Sequence, residues 1–234
     1  MKKLLKALLI LLIIVVALLV GAFFYLKRPT GLGVSYTTAD LEAANQKIAV
    51  TYEALPIDDS LGKTLIVSGA HPVDQTFTSQ EITALADNRR TVYPYFPFQN
   101  VQIRVNADGT VEGSATVNYT NAVSYLKALG VAPEDISEAA QKFNIPNADL
   151  PVYLKVKGNI VNNESNITVQ TAKIANIPIP QNFVDQYAPY LNDLIESLID
   201  QRQPSYNIET LEVQSGKIHF KGTAPDVEKA VKNL

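Results

Sequence analysis

VQIRVNADGTVEGSATV, residues 101–117, is a β-hairpin spelled out in side chains. Val101, Ile103 and Val105 alternate with Gln102 and Arg104, so one face of the strand is apolar and the other polar. Asn106-Ala107-Asp108-Gly109 turns the chain, with Gly109 supplying the permissive backbone. Val111, Ala115 and Val117 return on one face, opposite Glu112, Ser114 and Thr116. The pattern recurs twice. Val152, Leu154, Val156 and Ile160 alternate with Lys155 and Lys157, Asn162 to Ser165 turns, and Ile167 and Val169 come back. A one-residue slip near Thr171–Ala172 predicts a bulge. Leu211 and Val213 precede Ser215-Gly216, after which Ile218 and Phe220 alternate with Lys217, His219 and Lys221. Each hairpin has one buried and one wetter face.

Helices separate the hairpins. Thr37 with Asp40 predicts a cap for a helix through about Lys47, and Thr78-Ser79-Gln80-Glu81 is a capping box for a helix ending near Asn88. Ile82, Leu85 and Ala86 form the apolar stripe of the second. Two further helices are expected at Asn121–Leu129, stopped by Gly130, and Pro133–Phe143. The longest, Gln181–Gln201, carries Phe183, Tyr187, Tyr190, Leu191, Leu194, Ile195 and Leu198, with Pro189 expected to kink or divide it. Thr64–Ser68 reads as a strand, Ala54–Lys63 as a loop, and Pro225–Leu234 as a surface helix. Hairpins alternating with helices predict an α+β fold: an N-terminal transmembrane helix, then an antiparallel twisted sheet with a long packed helix.

The transmembrane reading rests on residues 7–26, ALLILLIIVVALLVGAFFYL, twenty residues without a charge. At about 1.5 Å per residue they cover the ~30 Å hydrocarbon core of a bilayer. The apolar core of a secretory signal is shorter, about 7–15 residues, so an uncleaved anchor is the better reading. Lys2, Lys3 and Lys6 outnumber Lys27 and Arg28, which puts the amino terminus in the cytoplasm and the rest outside the cell membrane. The chain divides into three regions: an anchor at 1–28, a flexible juxtamembrane linker with a short helix at 29–59, and an extracytoplasmic α+β domain at 60–234. Five of the twenty basic residues precede Pro29, leaving 15 against 23 acidic residues and a formal charge of −8. An acidic domain is a poor nucleic-acid partner. With no cysteine in the chain there is no disulfide and no thiolate metal site.

TFTSQEITALADN (76–88), PFQNVQIRVNADGTVEGSATV (97–117), IPIPQNFVDQYAPYLNDLIESLID (177–200) and IETLEVQSGKIHFKGTAP (208–225) carry a resemblance to bacterial envelope proteins of the YpmS and LmeA phospholipid-binding types. The likeness spans roughly residues 60–225. It implies an extracytoplasmic α+β domain associated with lipid binding, similar to the tubular lipid-binding (TULIP) folds in which a long helix lies in a curled sheet beside an apolar groove. It offers no catalytic residues to carry over to this chain.

No GxSxG, P-loop or GxGxxG occurs, and Gly31-Leu32-Gly33 lacks the third glycine and a preceding strand. His71, before Pro72 in an expected turn, and His219 have no ligand pattern around them, so neither metal nor cofactor is expected. Three candidate features remain. The long helix offers Phe183, Tyr187, Tyr190, Leu194 and Leu198 as lining for a phospholipid or other apolar ligand, or as filled core. Tyr95 and Phe98, in the aromatic run Tyr93–Phe98, either gate that groove or close one end of the core. Lys155, Lys157, Lys217, His219 and Lys221 either form a basic patch for anionic headgroups or polymers, or are solvated sheet lysines. The function expected is a non-catalytic, membrane-anchored lipid- or hydrophobe-binding module. The alternative is an anchored scaffold binding an envelope protein partner.

Overall fold

The computed structural model describes residues 26–56, 65–128, 132–142 and 146–231. The fold is α+β, with a mostly antiparallel sheet. In chain order the elements are α1 (Thr38–Ile48), β1 (Thr51–Leu55), β2 (Leu65–Ser68), β3 (His71–Phe77), α2 (Ser79–Val92), β4 (Phe98–Val105) and β5 (Thr110–Val117). Then come α3 (Tyr119–Ala128), α4 (Pro133–Lys142), β6 (Leu150–Val161), β7 (Glu164–Ile174), β8 (Ile177–Pro178), α5 (Gln181–Asp200), β9 (Asn207–Gln214), β10 (Lys217–Ala224) and β11 (Val227–Val231).

The three hairpins, β4–β5, β6–β7 and β9–β10, are joined into one sheet of order β3-β10-β9-β6-β5-β4, with β7 and β8 on a branch from β6. Strand β6 pairs with β5 through Lys157 and with β9 at Ile160 and Val161, while β7 runs along its other edge. The sheet therefore forks at Gly158. Asn163 holds the fork together: its side chain accepts from the Ile208 amide at 2.6 Å and donates to Asn207 at 2.8 Å. Gln170 is the extra residue in the β6–β7 ladder, since Lys155 faces Thr171 and Val156 faces Val169.

Both capping boxes form. Thr37 accepts from the Asp40 amide at 3.3 Å and Thr78 from the Glu81 amide at 3.2 Å. Helix α2 does more than cover the sheet. Ser79, Thr83 and Asp87, spaced by four, accept from the amides of Val105, Ile103 and Val101, spaced by two, at 2.8–2.9 Å. Four helical residues rise about 6 Å and two strand residues about 6.6 Å, so the two periods match and one helix face completes the edge ladder of β4. Helix α5 does the same for β7: Asn192 accepts from the Ile167 amide at 3.0 Å and Glu196 from the Ser165 amide at 2.8 Å. A trough lies between the two helices, with β6, β9 and β10 as its floor.

Several expectations are corrected. Residues 225–231 are not the start of a helix. Val227–Val231 is the central strand of a second, small sheet, parallel to β1 and antiparallel to β2, with Ala230 and Val231 almost fully buried. It pairs on both sides, and its buried Ala230 and Val231 side chains take core positions that a helix lying on the surface would leave in water. Strand β1 starts inside what reads as helix-to-loop sequence, and His71 lies in β3 rather than in a turn. Helix α2 continues to Val92, and α5 runs unbroken through Pro189, whose exposed position lets the freed carbonyl of the preceding turn meet solvent. Within the linker read as flexible, the 29–34 stretch is tied to the sheet. Leu32 is 5% exposed, its amide donates to Gln102 Oε1 at 2.8 Å and its carbonyl accepts from Arg104 at 3.3 Å.

The stretch read as an anchor, apart from its end at Leu26–Arg28, lies outside the described residues, as do Gly130, Phe143 and most of the stretch 54–63 read as a loop. Among the described residues no helix is long and apolar enough to cross a membrane.

Candidate functional site

The trough holds a cavity of about 540 Å³ open to the exterior. Its long walls are α2, through Ile82, Leu85, Ala86 and Val92, and the last turns of α5, through Ile195, Leu198 and Ile199. Its floor is Ile160, Ile208, Leu211, Ile218 and Phe220 from β6, β9 and β10. The floor is firm because Ile160, Ile199 and Ile208 form a buried cluster with Ile195, Leu211 and Phe220 packed on it. The stripe Ile82, Leu85 and Ala86, which amphipathic periodicity assigns to a core face, faces this space instead of interdigitating with α5.

One end of the cavity is polar. Arg89 of α2 meets Glu228 of β11 at 2.6 Å, and Glu228 is 3% exposed. Tyr52, Tyr206 and Arg202 line the same cavity. Burial pushes the Tyr52 phenol up to about 12, with Arg89 opposing and Glu228 reinforcing the rise. Burial likewise raises Tyr206, again with Glu228 adding to it. Desolvation opposes the charge on Arg89, but Glu228 outweighs it and holds the guanidinium protonated. The end wall is thus an internally neutralised ion pair between two phenols that stay neutral.

These phenols predict an alkaline transition. A phenol whose pKa is raised by folding stabilises the fold fully below its unfolded value near 10, and this contribution is lost as pH climbs toward 12. Unfolding midpoints in urea should be level up to about pH 10 and fall from there to about 12. Tyr52→Phe should flatten part of that fall; an unchanged profile would remove Tyr52 as a cause.

Of the seven apolar candidates, Leu198 lines the cavity. Phe183, Tyr190 and Leu194 are exposed, Tyr190 at 66%, and Tyr187 packs on Tyr190 with ring centroids 6.0 Å apart. They form an outer ridge of α5, one position away from the buried series Val184, Ile195 and Ile199. The ridge starts beside the β7–β8 turn and leads to Leu198 at the cavity, about 22 Å further along the helix. Tyr95 and Phe98 do not line the cavity: Tyr95 packs edge-on against Tyr93, and Phe98 against Phe96, which is the ring that reaches it.

The five basic candidates do not make a patch, because carboxylates interleave them. His219 Nε2 lies 2.7 Å from Asp74, and Lys221 lies 2.8 Å from Glu209. Lys155 faces Glu112 across the β5–β6 ladder, and Lys157 shares a shallow cleft with Glu212. Lys217 sits opposite Gln214 at the β9–β10 turn. His71 is tied to Asp226 at 2.8 Å and to the Ile48 carbonyl at 2.9 Å. Among the described residues no three His, Asp or Glu side chains converge as a metal site.

Sequence reasoning misses Arg89, Glu228, Tyr52 and Tyr206. Their only sequence signal is an arginine continuing the α2 stripe one turn beyond Leu85 and Ala86. The carboxylate it meets is 139 positions away, which no local pattern encodes.

No protein-family model matches this chain, and neither a curated protein nor a solved structure matches it.

Proposed function

We propose that this protein is a membrane-anchored, extracytoplasmic module that binds a lipid or other amphiphile in the cavity between α2 and α5. The observation that carries the reading is the cavity itself. Natural cores are close-packed, so about 540 Å³ of open space walled by Ile, Leu, Val and Phe is a departure that a ligand explains. The polar end, Arg89–Glu228 with Tyr52 and Tyr206, suits a headgroup, and the remaining walls suit an acyl chain. The paired charges are not arranged as a nucleophile beside a base, which favours binding over catalysis. Residues 7–26 supply the anchor, with the amino terminus cytoplasmic. The resemblance of the sequence to the YpmS and LmeA types points the same way.

The test is photo-crosslinking of the full chain in cells fed a diazirine-labelled fatty acid, with adducts mapped by peptide mass spectrometry. Adducts are expected on 82–92 and 195–199 as well as on the anchor. Ala86→Trp, which fills the cavity, should abolish the first two sets and leave the anchor adducts. Adducts confined to residues 7–26 in the unaltered protein would overturn the reading.

A further inference from the structure

The point where the anchor sequence ends is clamped to one corner of the domain. Asn176, in the β7–β8 turn, donates to the Arg28 carbonyl at 2.7 Å and accepts from the Thr30 hydroxyl at 3.1 Å. Arg28 is two residues beyond Leu26, the last residue of the uncharged run, so at most about 7 Å of chain separates them. The headgroup layer of one leaflet is about 5–8 Å thick. A domain held by this clamp has its β7–β8 turn at headgroup depth.

That corner is unusually apolar. Ile174 to Val184 (IANIPIPQNFV) is eleven residues without a charge, in a region that otherwise carries −8. Ile174, Ile177 and Phe183 are all exposed, Ile177 at 58%. Lys173, at the edge of this stretch, lies 5.0 Å over the Tyr153 ring. Exposed branched and aromatic side chains flanked by a cation match an interfacial contact.

We propose that the β7–β8 turn and the start of α5 form a membrane-contact face, with Ile174, Ile177 and Phe183 inserted into the leaflet from which the anchor emerges. This rests on residues 7–26 being an anchor. It fixes the domain's orientation: the ridge of α5 rises from the bilayer through Tyr190 and Leu194 to Leu198 at the cavity, a continuous apolar path for a ligand taken from that leaflet.

The chain has no tryptophan, so single reporters are clean. Full-length Ile177→Trp, Val161→Trp and Phe24→Trp variants would be reconstituted in phosphatidylethanolamine–phosphatidylglycerol vesicles, with and without brominated acyl chains. Val161 is an exposed position at the far end of β6. Ile177→Trp should emit to the blue of Val161→Trp and lose most of its intensity to brominated lipid, while Val161→Trp is unaffected. If Phe24→Trp is quenched but Ile177→Trp is not, the anchor reading stands and the contact face is overturned. A blue-shifted but unquenched Ile177→Trp overturns it too, because a protein rather than lipid then covers the corner. An unquenched Phe24→Trp overturns the anchor reading and this proposal with it.

Discussion

Glu228→Ala is expected to destabilise the domain by about 3 kcal/mol, the lower end of the cost of breaking a buried pair, because Glu228 is buried while the Arg89 side chain keeps 23% of its surface exposed. Glu228 is almost fully buried on the central strand of the small sheet, and Arg89 projects from the α2 wall of the cavity. Without the carboxylate, Arg89 is left between Tyr52 and Tyr206, neither of which can take its charge while protonated. The measurement is the urea midpoint of near-ultraviolet tyrosine circular dichroism, on the full chain in mild detergent. A second variant separates charge from packing. Arg89→Leu with Glu228→Leu removes both charges and should recover most of the loss, since apolar groups of similar size replace buried ion pairs at little cost. If Glu228→Ala costs less than about 1 kcal/mol, the pair is solvated and the polar end of the cavity is not a closed wall.

Gly222→Ala is expected to cost more than about 4 kcal/mol, enough to unfold most of the population of a marginal domain. Gly222 has φ +158°, and a Cβ there would stand 2.0 Å from the Asn207 carbonyl oxygen, which belongs to the neighbouring strand and cannot withdraw. The site is the β9–β10 bulge, where Lys221 faces Thr210 and Gly222 faces Ile208. Ile208 is part of the cavity floor, so the bulge shapes the site as well as the sheet. Gly158→Ala, at the fork itself, should behave alike, with its Cβ 2.0 Å from the Asn166 carbonyl oxygen. Gly113→Ala is the control: nothing lies within 4 Å of its Cβ, and stability should hold or rise slightly. Resistance of the full chain to limited proteolysis, alongside the urea midpoint, reads all three. Equal midpoints for Gly222→Ala and Gly113→Ala would mean that the bulge relaxes freely.

The hairpins and capped helices were legible as elements because their information is local, although Glu112 and Ser114, read as the wetter face of β5, are buried. Val101, Ile103 and Val105 alternate within five residues, and Thr78 and Glu81 meet within one turn, so no distant partner is needed to recognise them. Strands β1, β3 and β11 were not legible for the opposite reason. HPVDQTF and VEKAV have no sustained period, and their backbones are satisfied by β10, β1 and β2, which stand far away in the chain. The edge seal of α2 was written in Ser79, Thr83 and Asp87 at a spacing of four. Polar residues on a helix read as a solvent face unless a strand edge is known to lie there.

The sequence by itself determined the element types of the three hairpins and the long helix, the uncharged run at 7–26 and the acidic balance of residues 29–234. These depend on side-chain chemistry at short range. Tertiary structure alone decided that Ile82, Leu85 and Ala86 face an open space, that Glu228 is a buried partner of Arg89, and that Phe183, Tyr190 and Leu194 lie outside the cavity they were read as lining. The physical reason is rotational. An apolar stripe about 100° wide specifies that a helix has a greasy side, but side-chain bonds from Asn192 and Glu196 to β7 fix which part of that side meets the sheet.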